Sequence, residues 1–131
     1  FNPTTTPRLL HVTVLAEGGD ASIGMFNLNS SLELENVAIF AGDYGLLSTA
    51  IGDGYVSELD MRYSSIQVSG AYAYALDISF TVGRIAHSQL VGPVDPEPFY
   101  NNSLINQYFS DLRCIGVYDA NFYDMYCGLN P

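Results

Sequence analysis

The sequence predicts an all-β fold, a Greek-key sandwich or barrel with at most one short helix near 102–112. Three observations lead there. Apolar and polar residues alternate in many short runs, turn signals recur about every ten residues as in sandwiches and barrels, and only one segment has helical spacing. At 131 residues the chain matches the modal size of one domain and is long enough to bury about two-thirds of its unfolded surface. It reads as a single all-β domain, 1–131, with an N-terminal strand extension over about 9–34 and a disulfide-closed C-terminal loop.

The elements follow in order. HVTVLAE opens with β-branched residues and stops at Gly18-Gly19-Asp20. SIGMFNLN and SLELENVAIF come next; Leu32 and Leu34 share one face against Glu33, and Val37 and Ile39 share one against Ala38 and Phe40. Gly52-Asp53-Gly54 is a turn signal that predicts a hairpin ahead of Tyr55 and Val56. SSIQVSG sets Ile66 and Val68 inward with Gln67 outward. YAYALDISFTV places Tyr72, Tyr74, Leu76, Ile78 and Phe80 on one parity, with Ala71, Ala73, Ala75, Asp77 and Ser79 on the other. The pattern resumes through Ile85 to Val91. Pro93, Pro96 and Pro98 then remove three backbone donors and predict a loop, with Asp95 and Glu97 as a rigid acidic prong. NNSLINQYFSDLR is the one helical candidate, with Leu104, Ile105, Tyr108 and Leu112 behind Asn and Ser caps. CIGVYD is the last strand.

Charge limits the partners. The chain carries 14 acidic residues against four arginines and no lysine, a formal charge of −10. Arg8, Arg62, Arg84 and Arg113 lie singly along the sequence, so neither a phosphate backbone nor an anionic lipid surface is expected to bind. No apolar run approaches the ~20 residues of a membrane span. The beginning FNPTTTPR lacks an initiating Met and a signal-like apolar stretch, which reads as a processed or trimmed end. Cys114 and Cys127, an even pair in a small acidic chain, suit one disulfide worth about 3 kcal/mol in the chain-entropy model; two reduced thiols are the alternative. Sequons at Asn29 and Asn101 join the cysteines in pointing to a secreted, extracellular or cell-wall protein.

From Glu35 to about Tyr118 the chain resembles a βγ-crystallin-like double Greek-key domain. Phe40, Tyr44 and Gly45 stand where that family has an aromatic strand and a glycine, and Asp60, Ser64 and Ser65 stand in its acid-to-hydroxyl loop. Tyr44 falls one residue early, and Met61 replaces the second acid. A second copy runs from Ala73 through Phe80 and Gly83 to FSDLRCIGV, with Arg113 and Cys114 at the places of Ser64 and Ser65. The resemblance implies a structural or weakly calcium-binding protein, with Asp60 and Ser64 as calcium ligands completed by carbonyls and water. In the competing reading, Ser64 and Ser65 bond to nearby backbone. Asp43, Asp53, Glu58 and Asp60 form an acidic group around the same loops, a candidate weak cation site, although surface carboxylates in turns usually just face water.

No catalytic motif surrounds His11 or His87, and Glu33 and Glu35 share a strand face without a facing partner, so an enzyme is not expected. The rival function is a secreted carbohydrate- or protein-binding module, whether lectin, adhesin, effector or inhibitor. Its candidate residues are Tyr100, Asn102, Tyr118, Asp119, Tyr123 and Asp124, with the alternative that these tyrosines pack on the barrel. Oligomeric state is not read from the sequence.

Overall fold

A computed structural model describes residues 6–18, 21–52, 54–95 and 111–125. The chain winds as a parallel β-solenoid. β1 (Arg8–Leu10), β2 (Thr13–Ala16) and β3 (Ile23–Leu28) form the first coil. β4 (Ser31–Glu35), β5 (Ala38–Ala41) and β6 (Tyr44–Thr49) form the second, and β7 (Ser57–Arg62), β8 (Ser65–Val68) and β9 (Tyr74–Ile78) the third. β10 (Thr81–Ala86), β11 (Gln89–Val91) and β12 (Val94–Asp95) form the fourth, and β13 (Asp111–Ile115) begins a fifth. Each coil places its strands on the strands of the coil before, giving sheets ordered β1-β4-β7-β10-β13, β2-β5-β8-β11 and β3-β6-β9-β12. Every pairing between these strands is parallel.

This overturns the Greek-key reading, and with it the crystallin likeness, because a Greek key is built from antiparallel neighbours. The supposed motif is dispersed. Phe40 is exposed on the outside of β5, Gly45 lies in β6, and Asp60 faces outward from β7 on the opposite side of the backbone from its buried neighbours Leu59 and Met61. The expected hairpin at Gly52–Gly54 is a corner instead, since β6 and β7 belong to different sheets; Asp53 lies outside the described residues. Of the helix expected near 102–112, residues 102–110 lie outside the described residues, and Asp111 and Leu112 belong to β13. Asp95 ends β12, and Glu97 lies outside the described residues.

The confusion has a physical cause. Parallel sheets buried on both faces read as continuous apolar runs, whereas here each sheet buries one face and wets the other. Such strands alternate as antiparallel ones do. Leu32, Leu34, Leu59, Met61, Ile85 and Leu112 point inward from the first sheet, Ile39, Ile66 and Leu90 from the second, and Leu46, Leu76, Ile78 and Val94 from the third. Together they form one continuous core. The residues expected to share one parity from Tyr72 to Phe80 divide: Leu76 and Ile78 are buried, Tyr72 is almost wholly exposed, and Phe80 turns a corner at φ 47°, while Ala73 and Ala75 of the other parity are buried too.

Buried polar groups are also stacked from coil to coil. Asn27 Nδ2 donates to Ser30 O, Ser48 Oγ and Glu58 O at 3.2, 3.1 and 3.0 Å, and Ser48 Oγ meets Thr81 Oγ1 at 3.0 Å. Among the described residues no buried side-chain polar atom lacks a partner. That satisfaction matters, since each orphaned group would cost about 1–3 kcal/mol.

Where the second and third sheets converge, only glycine fits. A Cβ on Gly45 would fall on the Ile66 methyl and the Ala75 carbonyl oxygen, and the latter is backbone in the next coil. Gly45→Val should therefore destabilise the fold by roughly 1–3 kcal/mol or more, while Gln67→Val on the wet face of β8 should change stability by about 0.5 kcal/mol or less. Urea denaturation of the two variants checks this; equal midpoints would show that the interior is not packed as described.

Candidate functional site

The corner between the first and second sheets is built by one residue per coil in the left-handed conformation. These are His11 (φ 55°), Asn36 (53°), Tyr63 (50°), His87 (49°) and Gly116 (61°). Each follows a strand of the first sheet, and each but Gly116 precedes a strand of the second by one residue. Glycine and asparagine adopt this conformation readily; for tyrosine and histidine it costs about 1–2 kcal/mol. Strain of that size is retained where surrounding structure overdetermines it, and it clusters at functional positions.

Two arrangements overdetermine it here. The corner N–H of each coil donates to a carbonyl of the next: His11 to Glu35 at 3.1 Å, Asn36 to Arg62 at 3.1 Å, Tyr63 to Ala86 at 3.1 Å and His87 to Ile115 at 2.9 Å. Behind the corner, Val12, Val37, Ser64, Ser88 and Val117 turn into the interior. Ser64 Oγ donates to Arg62 O at 2.8 Å and accepts from Val37 N at 3.0 Å; Ser88 Oγ donates to Ala86 O at 2.8 Å and accepts from Ser64 N at 3.1 Å.

The side chains of the corner residues stack along the outside. Asn36 Nδ2 meets His11 Nδ1 at 2.6 Å. The rings of Tyr63 and His87 stack at 5.4 Å and 13°, with Tyr63 59% exposed. A side chain at Gly116 would crowd the His87 ring, which lies 2.7 Å from the position of its Cβ. The Tyr63–His87 pair is thus a ridge with a groove on either side. Toward the second sheet lies one of about 470 Å³, lined by Asn36, Ser65, Gln89, Tyr118 and Phe122 as well as by the ridge. Toward the first sheet lies one of about 400 Å³, lined by Asp60, Arg62, Arg84 and Arg113.

The residues singled out from the sequence divide between these places and others. Tyr118 lines the first groove. Its backbone joins the loop to the solenoid, donating to Ser88 O at 3.0 Å and accepting from Leu90 N at 2.9 Å. Asp119 shapes that loop: Oδ1 accepts from Asn121 N at 2.8 Å and Tyr123 N at 3.0 Å. Tyr123 and Asp124 are exposed on the same loop. Tyr100, Asn101, Asn102 and Cys127 lie outside the described residues, and Cys114 is half-buried against the core on β13. Asn29 sits at a left-handed corner of its own, where its amide accepts from Ile51 N at 2.8 Å and donates to Ile51 O at 3.1 Å.

Asp60 and Ser64 are not brought together. Asp60 faces solvent and pairs with Arg62 at 3.2 Å, raising the guanidinium pKa further by hydrogen bond and charge, whereas both roles of the Ser64 hydroxyl are taken inside the coil. Among the described residues no three His, Cys, Asp or Glu side chains converge in an arrangement that would hold a metal. Of the other acids, Asp43 accepts from Ser22 at a different corner and Glu58 accepts from Ser31 on the first sheet.

Comparison with protein-family models, curated proteins and solved structures finds no match to this chain. Its functional reading rests on geometry.

The sequence singles out Tyr63 for no role, and it presents His87 as a satisfied strand histidine rather than a catalytic base. A signal was present in the pairs His11-Val12, Asn36-Val37, Tyr63-Ser64, His87-Ser88 and Gly116-Val117, each following a strand and recurring every 24 to 29 residues or so, a solenoid period. Left-handed backbone at the ridge gives a direct test. Tyr63→Ala loses the stack and keeps the strain, whereas Tyr63→Gly loses the stack and relieves it. The glycine variant should be the more stable of the two by about 1 kcal/mol in chemical denaturation. The opposite order would contradict the corner conformation.

Proposed function

We propose that this chain is a non-catalytic carbohydrate-binding module whose ligand lies along the Tyr63–His87 ridge. The observation that carries the reading is the pairing of exposed aromatic rings with amides and hydroxyls in one open groove on a rigid sheet. Tyr63, Tyr118 and Phe122 are 59%, 41% and 75% exposed, and Ser65, Gln89 and Asn36 line the same wall. Exposed aromatic carbons offer apolar contact to the C–H groups of a sugar ring, while neutral donors and acceptors suit its hydroxyls; small-ligand sites commonly combine an apolar lining with a few placed polar groups.

Rigidity supports the same reading. The ridge stands on hydrogen-bonded coils, so little conformational entropy is lost when a ligand settles on it. The loop that carries Tyr118 and Phe122 is held by Asp119 and by a Met125 N to Val117 O bond of 2.8 Å. An extracellular or cell-wall setting belongs to the proposal, being the compartment in which a Cys114–Cys127 bridge and glycans at Asn29 or Asn101 have meaning.

The proposal is tested on immobilised plant, fungal and bacterial oligosaccharides, with soluble competitor as control. At least one should retain the protein. Tyr63→Gly should weaken that binding about tenfold, or 1.4 kcal/mol, with the far-ultraviolet circular dichroism unchanged. Leu15→Thr, a substitution on the outer face of β2 remote from the ridge, should bind as the parent does. Retention by none of the saccharides, or retention indifferent to Tyr63, would remove the reading.

A further inference from the structure

The four arginines, dispersed in the sequence, all lie on the outer face of the first sheet: Arg8 on β1, Arg62 on β7, Arg84 on β10 and Arg113 on β13. They are not spread evenly over it. Arg8 serves the acidic early coils, pairing with Glu33 at 3.6 Å and Glu35 at 3.2 Å. The other three line the groove beside the ridge, where Asp60 is the one carboxylate among the described lining residues. A chain with a formal charge of −10 thus concentrates three of its four cations in one groove of about 400 Å³.

Their arrangement is not one that folding alone favours. Arg84 and Arg113 are register partners on neighbouring parallel strands, and like charges placed directly side by side destabilise a sheet. Arg62 and Arg113 are each steadied by an acid two residues earlier in the same strand, Asp60 at 3.2 Å and Asp111 at 3.1 Å. Arg84 has Val82 at the equivalent place, and among the described residues it forms no ion pair. Its β7 register partner is Asp60, whose carboxylate is engaged by Arg62. Two oriented guanidinium forks flank a third without an ion pair, with Tyr63 and His87 forming the adjoining wall.

We infer that this groove is an anion site that makes the ridge selective for acidic oligosaccharides. The fork of an arginine matches a carboxylate or sulfate with two parallel N–H···O bonds. An acidic sugar resting on Tyr63 and His87 would direct its charged substituent to Arg84 and Arg113. Asp60, Glu33, Glu35 and Glu58 continue the same sheet and would repel further charge along the coil axis, so the site suits an oligosaccharide with one acidic substituent at the ridge better than a uniformly charged chain such as a polyphosphate. The inference rests on the ridge being a sugar platform, and its test separates the two.

Four probes of similar length are compared by calorimetry at two salt concentrations: a galactan oligomer ending in one uronic acid, the same oligomer ending in one sulfated sugar, the neutral galactan oligomer and single-stranded DNA. One of the acidic sugars should bind at least tenfold more tightly than the neutral one, and the better of the two tells carboxylate from sulfate. Arg84→Gln and Arg113→Gln should each remove about five- to tenfold of that preference and leave the neutral sugar unaffected. Arg84→Lys should restore part of it. Arg84→Gln should also melt at about the parent's temperature, because it removes the like charge beside Arg113 and the opposite charge beside Asp60 together; a clearly lower melting temperature would assign Arg84 a structural role and overturn the inference. Equal binding of acidic and neutral sugars would remove the anion site and leave the ridge standing. Failure of every sugar to bind would remove both, and tighter binding of DNA would replace the saccharide with a nucleic acid.

Discussion

One left-handed residue per coil, with its N–H bonded to the next coil, is the constraint on which this structure depends. The corner must change the chain's direction between two sheets while leaving no backbone donor unmet. The bonds from His11, Asn36, Tyr63 and His87 to the carbonyls of Glu35, Arg62, Ala86 and Ile115 do both. They also fix register: once Tyr63 lies under His87, Asp60 must lie beside Arg84 and Ile66 beside Leu90. Packing and surface chemistry then follow from the same alignment. Ser64 and Ser88 fill the inside of the corner and carry its remaining hydrogen bonds, so the polar interior is a consequence of the turn as much as the outer ridge is.

The sequence displayed the strands more clearly than their partners. Alternation in SLELENVAIF and SSIQVSG assigned the right faces to Leu32, Leu34, Ile39 and Ile66, because a half-buried strand has period two whichever way its neighbours run. Direction of pairing left no mark, and turn-rich short strands favoured an antiparallel reading. The coil repeat was hidden by its own chemistry. His11, Asn36, Tyr63, His87 and Gly116 occupy one structural position with four residue types, and the coils between them differ in length. Asp60 and Ser64 are near in sequence, which invites joining them in one site, yet β7 presents Asp60 outward and the corner carries Ser64 inward. Of the proposed site, Tyr118 was visible as an exposed aromatic in a polar stretch, whereas the gathering of Arg62, Arg84 and Arg113 depends entirely on register.

Strain and repulsion meet at the same place. Tyr63 and His87 hold an unfavourable backbone conformation, and Arg84 and Arg113 stand side by side a few residues away. A solenoid whose described coils share a continuous apolar core tolerates both, since each coil is held by the coils around it. The outcome is a surface in which rings, neutral polar groups and cations sit at the spacing of β-strands. That spacing suits an extended ligand read over successive coils better than a compact one held in a closed pocket.

Register is therefore the claim to test most directly. Nitroxide labels introduced as pairs at Glu33→Cys with Asp60→Cys, and at Glu33→Cys with Arg84→Cys, can be compared by electron paramagnetic resonance. Adjacent coils place backbone positions about 5 Å apart and alternate coils about 10 Å apart, so the first pair should show strong dipolar broadening and the second distinctly less. Equal broadening in the two pairs, or none in the first, would contradict the parallel stacking of β4, β7 and β10 and everything built on it.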